Sequence, residues 1–204
     1  MAKPRVMGSD GRGRSEPLPV EFANTLSADR GAPVEGLGTP ADLGAWLRRH
    51  RSLFPEPGLP PGDTVLRVSE QQLCHARDLR DSARRLIEAR IERRAPDPWD
   101  VAHVNRASGM CQSWPVLVWP DARTPGAELF RTADAVTHSL GLIARSLVLL
   151  LTGSQGALLR SCQAPGCVLF FYRHHPRRAW CSSGCGNRAR VARHQARHRG
   201  GHGK

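Results

Sequence analysis

The tightest constraint on this chain is two cysteine pairs, Cys162 with Cys167 and Cys181 with Cys185, separated by 13 residues. Spaced C-x4-C and C-x3-C, they read as a four-thiolate zinc site. A structural Zn²⁺ takes four soft ligands in a closed tetrahedron, and close pairs supply them at small loop-closure cost. Between the pairs, Val168-Leu-Phe-Phe-Tyr172 is a β-branched and aromatic run and Arg173-His-His-Pro-Arg177 a polar turn. Arg178-Ala-Trp180 is then placed to return as a partner strand, which predicts a hairpin. From Ser182 the pattern turns helical, with Ala189, Ala192 and Ala196 on one narrow seam. A knuckle, a hairpin and a helix whose first turn carries the last ligands make a treble-clef-like zinc finger. Its few apolar residues cannot fold it alone, and metal binding, about 10 kcal/mol or more in small zinc modules, supplies most of its stability.

Charge is distributed unevenly. Of the net +12, the chain through Asp134 contributes 19 basic minus 18 acidic residues, or +1, and the remainder contributes 11 basic residues and no acid. A basic block around an ordered zinc unit is the footprint of a polyanion binder. At 100° per residue, Arg190, Arg193 and Arg197 fall within an arc of about 60°, with His194 beside it and the alanine seam turned inward. Arginine suits that arc because its planar fork grips phosphate or a guanine edge bidentately. Arg173, Arg177 and Arg178 extend the basic surface. Asn187 and Arg188 are divided evenly between contacting nucleic acid and bracing the zinc loop. His194 and His198 stand four apart, a metal-compatible spacing, but in so basic a helix they read as facing solvent or phosphate. His174 and His175 lie in the turn, outside a ligand set that the cysteines already fill.

Upstream, the pattern predicts a helical domain. Thr39-Pro40 starts a helix through Leu43, Trp46 and Leu47, and Ser69-Glu-Gln-Gln72 is a capping box before an amphipathic run from Leu73 to Ile91. Asp97-Pro98 starts another helix. Pro115–Trp119 and Glu128–Thr132 predict two short strands. Ala133 to Thr152 is the most apolar stretch and the expected central helix. Arg145, His138 and fewer than about 18 uninterrupted apolar residues argue against a membrane span, and Gly153 to Gly156 forms the joint to the zinc unit. Residues 1–17, polar and without the apolar run of a signal peptide, read as a disordered tail, followed by a helical domain over 18–153, a finger over 154–199 and a tail over 200–204. The predicted class is mainly α (α+β), with a short β-hairpin in the helical domain. A fragment ending near Gly153 is expected to fold and not bind DNA, and loss of any zinc ligand to unfold only the finger. Cys74 and Cys111 read as isolated thiols. Asn24 and Thr25 suit either a pocket lining or a capping and hydrogen-bonding role.

Cys185-Gly-Asn-Arg188, preceded by Trp180-Cys-Ser182 and followed by Ala189-Arg-Val-Ala-Arg-His194, resembles the CGNR zinc finger of bacterial, especially actinobacterial, regulators. Glu21-Phe-Ala-Asn-Thr-Leu26 and Pro40-Ala-Asp-Leu43-Gly-Ala-Trp46-Leu47 are similar to the ABATE domain that usually precedes it, so the likeness covers roughly residues 18 to 199. Many members place four residues between the third and fourth cysteines where this chain has three, which bears on where the last helix starts.

The resemblance implies a stress-related transcription regulator. With the charge pattern it gives a cytoplasmic regulator binding duplex DNA through one structural zinc finger and the helix after it, its N-terminal domain receiving a small-molecule effector or a protein partner. RNA polymerase or another transcription protein fits as that partner, a homodimer is compatible, and no membrane partner is indicated. Two other classes use the same surface: an RNA-binding or ribosome-associated zinc protein, and a protein-interaction module of the transcription machinery. No glycine-rich phosphate loop, serine nucleophile elbow or His-Glu-x-x-His pattern is present, and four thiolates leave a zinc ion no open position, so the expectation is no enzyme.

Overall fold

The computed structural model describes residues 15–29, 31–55, 66–120 and 124–200, with side chains through Arg197. In chain order the elements are α1 (Leu18–Ala23), β1 (Leu26–Asp29), β2 (Ala32–Glu35), α2 (Pro40–Arg49), α3 (Glu70–Glu92), α4 (Pro98–Gly109), β3 (Ser113–Val118), β4 (Gly126–Arg131), α5 (Ala135–Thr152), β5 (Leu159–Ser161), β6 (Phe170–Tyr172) and α6 (Ser183–Gly200). Short 3-10 turns follow α2 and α5. The fold is mainly α, and its described strands form three antiparallel pairs.

The helix starts follow from side chains that satisfy orphan backbone N–H groups. Thr39 and Asp42 close a capping box around Pro40, and Ser69 and Gln72 close another at α3. Asp97 accepts from the Trp99 amide and Asp134 from those of Val136 and Thr137. α3 ends where Arg93 turns left-handed at φ 56°.

α5 lies against α1, α3 and α4 and buries Val136, Ile143, Ala144 and Leu147. At Gly141 an added Cβ would come within 2.7 Å of Cys111 Cβ, so the absence of a side chain lets the segment after α4 close onto α5. In length and apolarity α5 does reach the measure of a membrane-crossing helix, contrary to the count of uninterrupted apolar residues. Burial of more than half of it by its neighbours makes it the core helix of this fold.

Four local features differ from the sequence reading. β6 pairs with β5, with Leu159 opposite Tyr172 and Ser161 opposite Phe170, rather than with Arg178–Trp180. The cause is the knuckle: reversing the chain between Cys162 and Cys167 brings its two flanks together, and the Cys162 amide extends the ladder to Leu169 O. The short helix α1 and the hairpin of β1 and β2 were not anticipated; Gly31, at φ 89°, occupies the turn conformation that a side chain resists. Glu16, within the expected tail, is buried.

The most consequential feature is β6 itself. Consecutive residues of a strand face opposite ways, and here Phe170 enters the helical core with Leu159, while Phe171 joins Cys162, Ala164, Cys181 and Cys185 in a second, smaller core. One three-residue strand therefore belongs to both.

Candidate metal centre and basic helix

The knuckle is a tight turn in which the Cys167 amide donates to Ala164 O and Gly166 takes φ 70°, a conformation that costs glycine little. It presents Cys162 and Cys167 on the same side. Cys181 follows the turn after β6, and Cys185 sits in the first turn of α6, where the Ser182 hydroxyl accepts from the Cys185 amide. An added Cβ on Gly186 would meet the Trp180 indole at 3.0 Å, which accounts for glycine after the fourth cysteine.

All four Sγ atoms lie within 4.8 Å of one another. Three of the separations are 3.4 Å (Cys181 to Cys185), 3.7 Å (Cys167 to Cys185) and 3.8 Å (Cys167 to Cys181). Disulfides need about 2.05 Å, whereas sulfurs on a tetrahedral zinc with bonds of about 2.3 Å stand about 3.8 Å apart. The donor set therefore fits one structural Zn²⁺ with no position left for substrate or water.

Electrostatics agree. Left to share protons, the four sulfurs cannot all ionise. Hydrogen bonds from Cys167 and Cys181 pull Cys162 down to about 2, while their bonds to Cys162 push Cys167 up to about 11 and Cys181 also upward. A divalent cation removes that conflict. Arg188 donates from Nη2 to Cys185 Sγ at 3.2 Å, so it braces a ligand and offsets its charge.

The remaining predicted nucleic-acid residues divide by position. Asn187, Arg190, Arg193, His194 and Arg197 are exposed along α6, and Arg177 is exposed in the turn beside half-buried Arg173. Asn187 accepts from Arg190, and Arg193 donates to Ala189 O. Arg178 is employed elsewhere: it pairs with Glu16, donates to Tyr172 O and Cys181 O, and lies 5.0 Å over the Phe171 ring. The alanine seam is buried only at its start. Ala189 is buried, Ala192 half-buried and Ala196 exposed, because the helix has passed the small finger core by that point. His174 and His175 stay in the exposed turn, away from the sulfurs. His198 lies outside the described side chains.

Three residues that fix the finger on the helices were not assigned that task from sequence. The Asn24 side chain donates to Phe170 O and accepts from Phe170 N, both at 2.9 Å, as a neighbouring strand would. Glu16 accepts from the Tyr172 amide as well as from Arg178. Arg84, on α3, donates to Ala23 O, Leu26 O and Val168 O and lies 4.9 Å over Phe170. Burial lowers its pKa, chiefly by desolvation, and the three carbonyls compensate its lost water. The only sequence signal for any of them was the Phe-Ala-Asn-Thr stretch.

Residues 16–154 match the family model ABATE, described as a putative stress-induced transcription regulator, and residues 159–198 match the CGNR zinc finger model. These are regulator and zinc-finger families rather than enzyme families. A search of curated proteins gives no match. The ABATE match spans most of the chain, its order relative to the finger is the expected one, and the four cysteines of the finger meet at one point: the chain belongs to the ABATE family and carries a CGNR zinc finger at its C-terminal end.

Proposed function

We propose that this protein is a cytoplasmic transcriptional regulator that binds duplex DNA through the exposed arginines of α6, oriented by the zinc centre. The observation that carries the reading is the separation of charge: every residue of the +11 excess follows Ala135, and Arg190, Arg193 and Arg197 stand exposed beyond the last zinc ligand. An α-helix fits the major groove of B-DNA, whereas the deep, narrow groove of A-form RNA does not admit one. Zinc takes no part in chemistry in this scheme; it fixes where α6 begins and which way it points. Arg188 serves the metal ligand, and Arg178 serves Glu16, so the contacting set is Arg190, Arg193 and Arg197 with Arg173, Arg177, Asn187 and His194 at its margins. The helical domain receives the signal, from a small-molecule effector or a transcription protein such as RNA polymerase.

The test is competition of a labelled genomic duplex against single-stranded and double-stranded RNA. Duplex DNA is expected to win, with log affinity falling against log salt at roughly −3 to −4.5 for three to five phosphate contacts. Changing Arg190, Arg193 and Arg197 together to alanine should flatten that slope and abolish tight binding while zinc content and helicity stay unchanged. Displacement by RNA at equal concentration would move the reading to an RNA-binding protein. Wild-type affinity in the triple variant would move it to a protein-interaction module.

A further inference from the structure

Val191 is 56% exposed on α6, where the other large exposed side chains among the described residues are those of arginine, histidine, asparagine and glutamine. A single exposed valine is ordinary on a protein surface; its place on the helix gives this one meaning. Cys185 and Ala189, both buried, fix which side of α6 turns to the finger core. At about 100° per residue, Asn187, Arg190, Val191 and His194 occupy an arc of about 100° on the opposite side. All four are exposed. Arg193 and Arg197 fall on one flank of that arc, and Gln195 and Arg188 on the other, where Arg188 is already held by Cys185 Sγ. Arg190 donates to Asn187 Oδ1, so that pair fills the turn before Val191.

We propose that this outward side faces the bases in the major groove, where Val191 packs on the C5-methyl group of a thymine and Arg193 and Arg197 grip the phosphates of one strand. The inference rests on the duplex-DNA reading of α6 and deepens it: the flanking arginines supply sequence-independent affinity, and the outward side supplies the choice of sequence.

The neighbours of Val191 select this occupant over a partner helix. A helix-to-helix seam needs further apolar side chains three and four positions away. Those positions hold Asn187, Arg188, His194 and Gln195, and a second α6 would also set basic residues against basic residues. The major groove, about 12 Å wide against a helix of about 10–12 Å, matches what α6 presents. It offers base edges that hydrogen-bond to Asn187 and His194, one isolated apolar group in the thymine methyl, and phosphates that attract the arginines. Double-stranded RNA closes that groove to a helix, and its uracil lacks the methyl.

The test uses the full zinc-loaded chain. Bound sites are selected from a random pool of unmodified synthetic duplexes, in which thymine is the only source of a C5-methyl group. Each thymine of the recovered site is then replaced in turn by deoxyuridine, which removes that methyl alone. At one position the wild type should lose about 4-fold in affinity, the effect of burying one methyl-sized group. Val191→Ala, a change at an exposed helical position, should keep zinc and helicity and bind the two duplexes equally. Arg197→Ala should retain the 4-fold methyl effect while its salt slope falls by about 0.9, as for one lost phosphate contact. Duplex binding with no recovered sequence, no methyl effect at any thymine, or the same methyl effect in Val191→Ala would overturn this inference and leave the DNA reading standing. Failure to bind any duplex would overturn both.

Discussion

The helical domain and the finger are stabilised by different means, and the comparison shows why they meet where they do. The domain buries a continuous apolar core built from α1, α2, α3 and α5. The finger's own core is four cysteines with Ala164 and Phe171, edged by Leu169 and Trp180. Such a cluster is too small to offset the conformational entropy of ordering some 40 residues, so two supports stand in for the missing hydrocarbon. One is the metal. The other is the neighbouring domain, which takes in Leu159 and Phe170 and binds the backbone of β6 through Asn24 and Glu16. Each phenylalanine of β6 carries an arginine on its ring, Arg84 for Phe170 and Arg178 for Phe171. We infer that the two regions share one cooperative unit, although the sequence patterns divide them near Gly153.

The largest effect that sharpens this comparison comes from Cys185→Ser. Loss of one thiolate should release zinc, withdrawing on the order of 10 kcal/mol, and metal analysis reads it. If the cores are shared, the helical melting transition falls as well. A finger that melts while the helices keep their wild-type Tm would restore two independent units.

Next in size is Phe170→Ala against Phe171→Ala. Each removes a buried ring, a change that typically costs about 3–5 kcal/mol, but on opposite faces of one strand. Phe170→Ala should lower the denaturation midpoint of the helices, and Phe171→Ala should chiefly weaken zinc retention against a chelator. Equal profiles for the two variants would break the distinction between the cores.

Much of this was legible in the sequence, and the division is physical. The helix start at Thr39-Pro40, the capping box at Ser69, Asp97 before Pro98, the apolar stripe of α5 and the stop at Gly153 are local signals, each set by residues within a turn or two, and the structure carries all of them. The zinc ligands were legible because metal chemistry restricts both residue type and spacing. What was not legible is non-local. That β6 pairs with residues 159–161, that Glu16 reaches Arg178 and that Asn24 reaches Phe170 depend on chain segments meeting across more than 140 positions in the last two cases, which no periodicity encodes. The β1 and β2 hairpin escaped because its strands are short and lie at the surface without a buried alternating face.

A smaller effect is expected at Asn24→Ala. It removes both hydrogen bonds to Phe170 and leaves a strand N–H and C=O without their partner, which costs about 1–3 kcal/mol. Chelator-driven zinc loss should quicken although Asn24 touches no sulfur. Unchanged release would mean that the seam contributes nothing to the finger.

The most direct test of the shared unit is hydrogen exchange on the full chain, zinc-loaded and after zinc removal by a chelator. The account predicts that the amides of α3 around Arg84 and those of α5 lose protection together with β6 once the metal is gone. Full protection of α3 and α5 beside a freely exchanging finger would contradict it.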